Sequence, residues 1–233
     1  MQLFYIPDFS GTEILLDEKE SKHAIKVLRL GKGDTLNFTD GKGKLYTAEI
    51  KEPNSKHCRL NVIDILSESV KRSYEIHVAI APTKNTDRLE WFLEKATEIG
   101  IDKISLILCE NSERKVVKIE RLEKILISAM KQSMNLYLPK LNPLVSFTEF
   151  IDNNNSTCKY IAHCYENEKP HLMKALNGGE NTVVLIGPEG DFTLDEISEA
   201  RAKGYKEISL GNTRLRTETA GVVACHVINL VNT

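Results

Sequence analysis

The sequence predicts an α/β protein in two parts, a small β-rich domain over residues 1–70 and a larger domain of alternating strands and helices over residues 71–233. Three observations carry that expectation. Short strand-like runs separated by glycine-rich turns fill the first part. The polar stretch Ser67-Glu68-Ser69-Val70-Lys71-Arg72-Ser73 reads as a linker. Beyond it, strand-like runs and amphipathic helical stretches alternate, the pattern of a parallel sheet with helices on both faces.

In the first part, Gln2–Ile6 and Glu13–Leu16 are short extended runs. Asp34–Thr39 and Lys44–Lys51 flank Asp40-Gly41-Lys42-Gly43, a hairpin turn. Arg59–Leu66 alternates imperfectly through Leu60, Val62 and Ile65. One helix, Glu18–Leu28, interrupts the strands with Ala24, Val27 and Leu28 on one face, and Gly31 and Gly33 are expected to end it. A small barrel protects so many short edges.

After the linker, strands are expected at Tyr74–Ile80, Lys103–Cys109, Lys159–His163, Thr182–Ile186 and Glu207–Leu210. Helices are expected near Asp87–Ile99, Ile119–Met134, His171–Leu176, Leu194–Lys203 and Glu218–Leu230. Leu89, Phe92, Leu93, Ala96 and Ile99 line one helical stripe, and Trp91 is assigned to the core with Phe92 and Leu93. Val183-Val184-Leu185-Ile186 is continuously apolar, as in a strand covered on both faces.

Composition narrows the function. With 41% hydrophobic and 27% charged residues, the chain can build a core and lacks the bias of a disordered protein. A net charge of -2 means that any polyanion-binding surface is a local patch. No apolar run approaches the ~20 residues of a membrane span, and the N-terminus lacks the basic and apolar regions of a secretory leader. The expectation is a soluble cytoplasmic protein. Its five cysteines are scattered without a CxxC pair, which reads as reduced thiols rather than a disulfide framework or a metal site.

Two strand ends carry chemistry, since ligands of parallel α/β sheets bind beyond the C-terminal ends of the strands. The first is Leu185-Ile186-Gly187-Pro188-Glu189-Gly190-Asp191-Phe192-Thr193. Gly187 and Gly190 remove side chains where a ligand could lie against backbone, and Thr193 with Glu196 forms a capping box. The second is Leu210-Gly211-Asn212-Thr213-Arg214-Leu215-Arg216-Thr217-Glu218-Thr219-Ala220-Gly221, in which Thr217 or Thr219 is expected to cap the helix and the arginines suit a phosphate clamp. Neither loop is a GxGxxG fingerprint or a P-loop.

Together these segments resemble one family, the ribosomal RNA small subunit methyltransferase E family of uridine-N3 methyltransferases within the SPOUT superfamily. The resemblance extends to His23-Ala24-Ile25-Lys26-Val27-Leu28-Arg29, to Asp87–Gly100 and to Gln132-Ser133 before Pro139. It implies an N-terminal PUA-like β-barrel (1–70) that binds RNA, followed by a SPOUT domain (71–233) with a C-terminal deep trefoil knot. It further implies a homodimer that uses S-adenosylmethionine, with 16S ribosomal RNA or the small ribosomal subunit as partner and no metal or membrane. The chain departs from the family pattern at Asp191, where a second glycine is usual, and at Thr213, where arginine is usual and falls one later at Arg214. Lys131 stands for a common glutamate and Asn135 for an arginine.

Carried over by position, the cofactor residues are Ala162, His163, Ile186, Gly187, Pro188, Glu189, Gly190, Leu210, Gly211, Leu215 and Thr217. Uracil N3 needs its proton removed or the resulting anion stabilised, which makes Arg216 the candidate stabiliser and Glu218 the nearest carboxylate, with helix capping or dimer packing as its other role. Glu189 could simply lock its loop, and His163 could be a core histidine. For RNA, Lys22, His23, Lys26 and Arg29 form a basic helical face, and Arg88, Arg114 and Lys115 are further candidates. Lys118, Arg121, Lys124 and Lys131 extend the patch around Arg114. The alternatives are methylation of another rRNA or tRNA base or of a 2′-hydroxyl, and a non-catalytic RNA-binding protein that keeps the barrel. A nucleotide-sugar or nicotinamide enzyme is disfavoured by the missing fingerprint.

Overall fold

A computed structural model describes residues 2–233; Met1, the first residue of the expected first domain, lies outside the described residues. Two compact units emerge. One comprises the stretch up to Lys71 together with Met130–Leu138, and the other Arg72–Ala129 with Pro139–Thr233. The return of Met130–Leu138 to the first unit was not expected from the sequence.

The first unit holds β1 (Leu3–Tyr5), β2 (Glu13–Leu15), β3 (Thr35–Thr39), β4 (Lys44–Glu52) and β5 (Arg59–Glu68) in the order β1-β3-β4-β5-β2. β3, β4 and β5 are antiparallel neighbours, while β1 runs parallel to β3. Alternate residues turn inward, so Leu36 and Phe38 meet Ala48 and Ile50 in the core, and the Phe38 and Tyr46 rings stack at 4.9 Å.

The expected Glu18–Leu28 helix changes character midway. Asp17 caps α1 (Glu18–Lys22) by accepting from the Glu20 amide at 2.7 Å. The chain then widens into a π-helical turn, His23–Val27, in which the Leu28 amide bonds the His23 carbonyl. Arg29 closes the turn in a left-handed conformation, φ 57°, so the helix ends before Gly31 and Gly33 are reached. Such one-turn widenings are common at functional positions.

The second unit is built on six parallel strands: β6 (Ile76–Ile80), β7 (Lys103–Leu108), β8 (Lys140–Ser146), β9 (Cys158–Ala162), β10 (Thr182–Ile186) and β11 (Lys206–Ile208). Their order is β11-β9-β10-β6-β7-β8. The helices are α2 (Thr86–Ile99), α3 (Ile119–Ser133, of which Met130 onward belongs to the first unit), α4 (Phe147–Asn153), α5 (Leu172–Ala175), α6 (Leu194–Ala202) and α7 (Thr217–Val231). Ala79, Ala81, Val183 and Leu185 pack with Phe147, Phe150 and Ile197 from α4 and α6. On the other face α7 lies against α2 and β6, so close that a Cβ on Gly221 would sit 2.7 Å from the Phe92 ring.

β8 and α4 had no counterpart in the sequence reading. β8 is an edge strand and carries Pro143, a residue an edge tolerates and a central strand does not. α4 is short and starts at a Ser146 cap. Trp91 also departs from expectation: Phe92 and Leu93 are fully buried, but Trp91 is 43% exposed.

Candidate active site

Three strand ends stand level. Ala162 of β9 is in register with both Ile186 of β10 and Ile208 of β11, so the loops that follow leave the sheet at one height. Between them opens a cavity of about 670 Å³. Its floor is apolar, from Ile186, Ile208, Leu210, Leu215 and Ala220, and its rim carries Arg88, Lys169, Arg214 and Arg216.

Hydrogen bonds hold the loops in place. The Thr217 hydroxyl donates to the Gly187 carbonyl at 3.1 Å. The Glu189 carboxylate accepts from the Lys84 amide at 3.0 Å, which anchors the β10 loop to the one after β6. Asn111 donates to the carbonyls of Gly190 and Asp191, and Asp191 accepts from the Cys164 amide at 2.8 Å. Thr193 and Glu196 form the expected capping box at the start of α6.

The His163 side chain is fully enclosed. Its Nε2 lies 2.8 Å from Glu207, and Lys169 approaches Nδ1 at 2.9 Å while bonding the carbonyls of His163 and Tyr165. Burial depresses the basicity of both His163 and Lys169. A neutral imidazole that donates from Nε2 to Glu207 and accepts from Lys169 at Nδ1 satisfies all three groups. His163 therefore meets the cavity through its position on the wall, with its ring committed to these partners.

Of the residues assigned to the cofactor, Ala162, His163, Ile186, Gly187, Pro188, Glu189, Leu210, Gly211, Leu215 and Thr217 all line this cavity, as does Arg216. Gly190 does not; it faces Asn111, 3.0 Å from where its Cβ would be. Gly187 also needs its missing side chain for a protein contact, since a Cβ there would lie 3.1 Å from the Phe192 ring. The expectation that both glycines clear space for a ligand is thus corrected. Of Gly187, Gly190 and Gly211, only Gly211, at φ 137°, turns its open side to free space.

Glu218 is off the cavity wall. Its side chain is 8% exposed and lies 3.8 Å from Arg88 Nε, and among the described residues Oε2 has no hydrogen-bond partner. The helix cap also differs from expectation: Arg216 occupies the cap position of α7 without a side-chain bond, and the Thr217 hydroxyl is directed to Gly187.

Cys164, Lys169 and Asp191 join the wall although none was singled out as a site residue, and Arg214, one of the two arginines expected to form a phosphate clamp, lines it as well. The signal for the first two was their place directly after the β9 strand end. Arg88, assigned to RNA, lines the cavity. Arg114 bonds the carbonyls of Thr83 and Lys84, Arg121 pairs with Glu90, and Lys131 pairs with Glu20 at 2.7 Å. The expected basic patch therefore reduces to exposed Lys115, Lys118 and Lys124. In the first unit Lys22, Lys26 and Arg29 are exposed, whereas His23 is half-buried against Gln2 and Phe4. Among the described residues no group of His, Cys, Asp and Glu could hold a metal ion, and no helix is long and apolar enough to cross a membrane.

Comparison with known proteins gives the class first. Residues 70–229 match the family described as RNA methyltransferase domain, and residues 16–63 match the RNA methyltransferase PUA domain. The ribosomal RNA small subunit methyltransferase E of Rickettsia conorii is 30% identical over 228 residues, covering 95% of this chain and 91% of that protein. A probable rRNA-methyltransferase from Porphyromonas gingivalis has the same fold, with TM-score 0.93 and 38% identity over 100% of this chain and 98% of its own. The ribosomal RNA small subunit methyltransferase E of Neisseria gonorrhoeae, solved bound to S-adenosyl methionine, superposes with TM-score 0.86 at 25% identity over 100% and 98% of the two chains. The chain belongs to the ribosomal RNA small subunit methyltransferase E family of RNA methyltransferases.

Proposed function

We propose that the protein transfers a methyl group from S-adenosylmethionine to N3 of a uridine in the 16S ribosomal RNA of the small subunit, in the cytoplasm and as a homodimer. The observation that carries this reading is the cavity at three level strand ends, with Arg216 at its edge. The bound cofactor of the Neisseria gonorrhoeae relative supports it, and so does the PUA match at residues 16–63 for the RNA partner.

The cavity fits such a cofactor. Its volume of about 670 Å³ falls in the range of roughly 300–1,000 Å³ typical of small-molecule sites. Ile186, Ile208, Leu210 and Leu215 offer apolar contact to a purine, the strand-end backbone offers hydrogen bonds, and the rim cations suit an amino-acid carboxylate. When bound, the cofactor supplies an electrophilic methyl group on a sulfonium.

The chain's own residues supply alignment and charge. Bonds through Thr217, Glu189 and Asn111 hold the walls in place before any ligand arrives, and fixed geometry is a large part of the rate gain for an in-line displacement. Uracil N3 becomes a nucleophile as its proton passes to solvent water and negative charge spreads to the two flanking carbonyl oxygens. Arg216, exposed at the cavity edge, is the group that stabilises this charge. Glu218, enclosed beside Arg88, acts as a positioning residue that holds the Arg88 guanidinium at the rim.

The basic face of Lys22, Lys26 and Arg29 contacts RNA phosphates. The stretch from Leu210 to the end of α7 forms the trefoil knot, a reading supported by the path of α7 from the β11 edge back to β6 and α2. α7 also forms the dimer seam. Ala224, Val227 and Ile228 are buried within the chain, but Leu230 is 54% exposed and Val222 and Val223 are half-buried, leaving an apolar strip for a second copy.

Purified small subunits incubated with methyl-labelled cofactor test the reading. Label should enter 16S rRNA only when the protein is present. A protein that binds the cofactor yet leaves 16S rRNA unlabelled, both within subunits and as free RNA, would overturn it.

A further inference from the structure

We propose that Asp191 sets the preference of the cavity for a positively charged sulfonium over the neutral thioether that remains after transfer. This rests on the reading that S-adenosylmethionine occupies the cavity. Asp191 holds a left-handed backbone conformation, φ 66°, which L side chains rarely adopt. What it gains is a fixed carboxylate. Oδ2 accepts from the Cys164 amide and Oδ1 from the Phe192 amide, both at 2.8 Å. The residue lines the cavity and is half-buried.

The charge balance of the wall gives this carboxylate its role. Arg88, Lys169, Arg214 and Arg216 line the cavity as cations and Glu189 and Asp191 as anions; Arg88 is paired with Glu218 behind the wall, and Lys169 lies near Glu207. That leaves Arg214 and Arg216, both exposed, as cations of the wall that disfavour a sulfonium. The Glu189 carboxylate is exposed and turned to the Lys84 amide, where water screens it. Asp191 is half-buried on the β10 loop and bonded across to the β9 loop at Cys164, so its charge acts from inside the wall, where screening is weaker. S-adenosylmethionine and S-adenosylhomocysteine differ by one methyl group and one positive charge at sulfur. A carboxylate on the wall therefore favours the substrate form and lets the product leave.

Asp191 is also a strap between two loops, and the two roles separate experimentally. Loss of the strap weakens both ligands alike, whereas loss of the charge weakens only the sulfonium. Asp191→Asn removes the charge, keeps one acceptor oxygen for the Cys164 amide while giving up the bond to the adjacent Phe192 amide, and is among the few side chains that tolerate this backbone. Arg214→Gln removes an opposing charge from the same wall and should move the ratio the other way.

The test is calorimetric titration of the full chain with S-adenosylmethionine and with S-adenosylhomocysteine, after circular dichroism has shown matching spectra. In Asp191→Asn the sulfonium should bind roughly tenfold more weakly and the thioether at most about twofold, with the gap narrowing as salt rises. Arg214→Gln should raise the ratio of sulfonium to thioether affinity. Equal weakening of both ligands, or an unmoved ratio in both variants, overturns the proposal and leaves Asp191 a strap. If the parent protein binds neither ligand, the reading of the cavity itself fails, a distinct result.

Discussion

The hydroxyl of Thr217 donates to the carbonyl oxygen of Gly187 at 3.1 Å, and this bond joins the first residue of α7 to the loop that leaves β10. Both partners are buried. Thr217→Val keeps the shape and removes the donor, leaving the carbonyl without this partner. The expected loss is about 1–3 kcal/mol of stability together with weaker cofactor binding, read by urea unfolding and calorimetry. Unchanged values for both would show that the loops are held by other means.

Gly221 provides a test in which two effects oppose each other. In a helix interior, Gly→Ala is favourable by roughly 1 kcal/mol. Here the added methyl would lie 2.7 Å from the Phe92 ring and 3.1 Å from Ile80 Cδ1, an overpacking that costs typically about 1–3 kcal/mol. Net destabilisation is expected on chemical denaturation of Gly221→Ala. A gain in stability would mean that α7 and α2 can separate without cost.

The large features of this fold were legible because they rest on repeated patterns. The apolar run Thr182–Ile186 is the buried strand β10, and the Leu89–Ile99 stripe is the inner face of α2. What escaped depended on contacts distant in the chain. Nothing local to Gly187 announces that Phe192 fills the space above it, or to Lys131 that Glu20 is its partner. β8 was hidden because Pro143 and the polar Asn142 break the strand pattern, which only an edge position allows. The strand-end loops stood out by composition, yet Lys169 and Asp191 became wall residues only once the β9 loop folded against β10.

His77 carries a pH dependence. It is 3% exposed and bonds Ser105 at 2.8 Å, and burial lowers its pKa from 6.5 to about 3. The folded state resists a proton that the unfolded chain accepts, so stability is full above the unfolded value and falls as pH drops from 6.5 toward 3. The slope contributed by one such group is at most about 1.4 kcal/mol per pH unit. Urea unfolding at pH 7.5 and 5.5 should show the loss, and His77→Gln should reduce it. Equal pH sensitivity in the variant would assign the effect to other groups.

Lys22 and Arg29 are exposed on the helical turn of the first unit. In the double variant Lys22→Ala, Arg29→Ala, RNA affinity should fall and the salt dependence should flatten by about one unit per lost phosphate contact. Cofactor affinity should stay at the parent value. An unaltered salt slope would place the RNA surface elsewhere, with Lys115, Lys118 and Lys124 the next candidates.

The most direct measurement of the central claim is mass spectrometry of nucleosides from 16S rRNA of cells lacking the protein, complemented with the parent or with Arg216→Ala. The expected result is that N3-methyluridine is absent without the protein and restored by the parent. The arginine variant should restore it slowly, its turnover in vitro lowered about 100-fold or more while both ligands still bind. An N3-methyluridine level that is the same with and without the protein, or loss of a different modified nucleoside, would contradict the account.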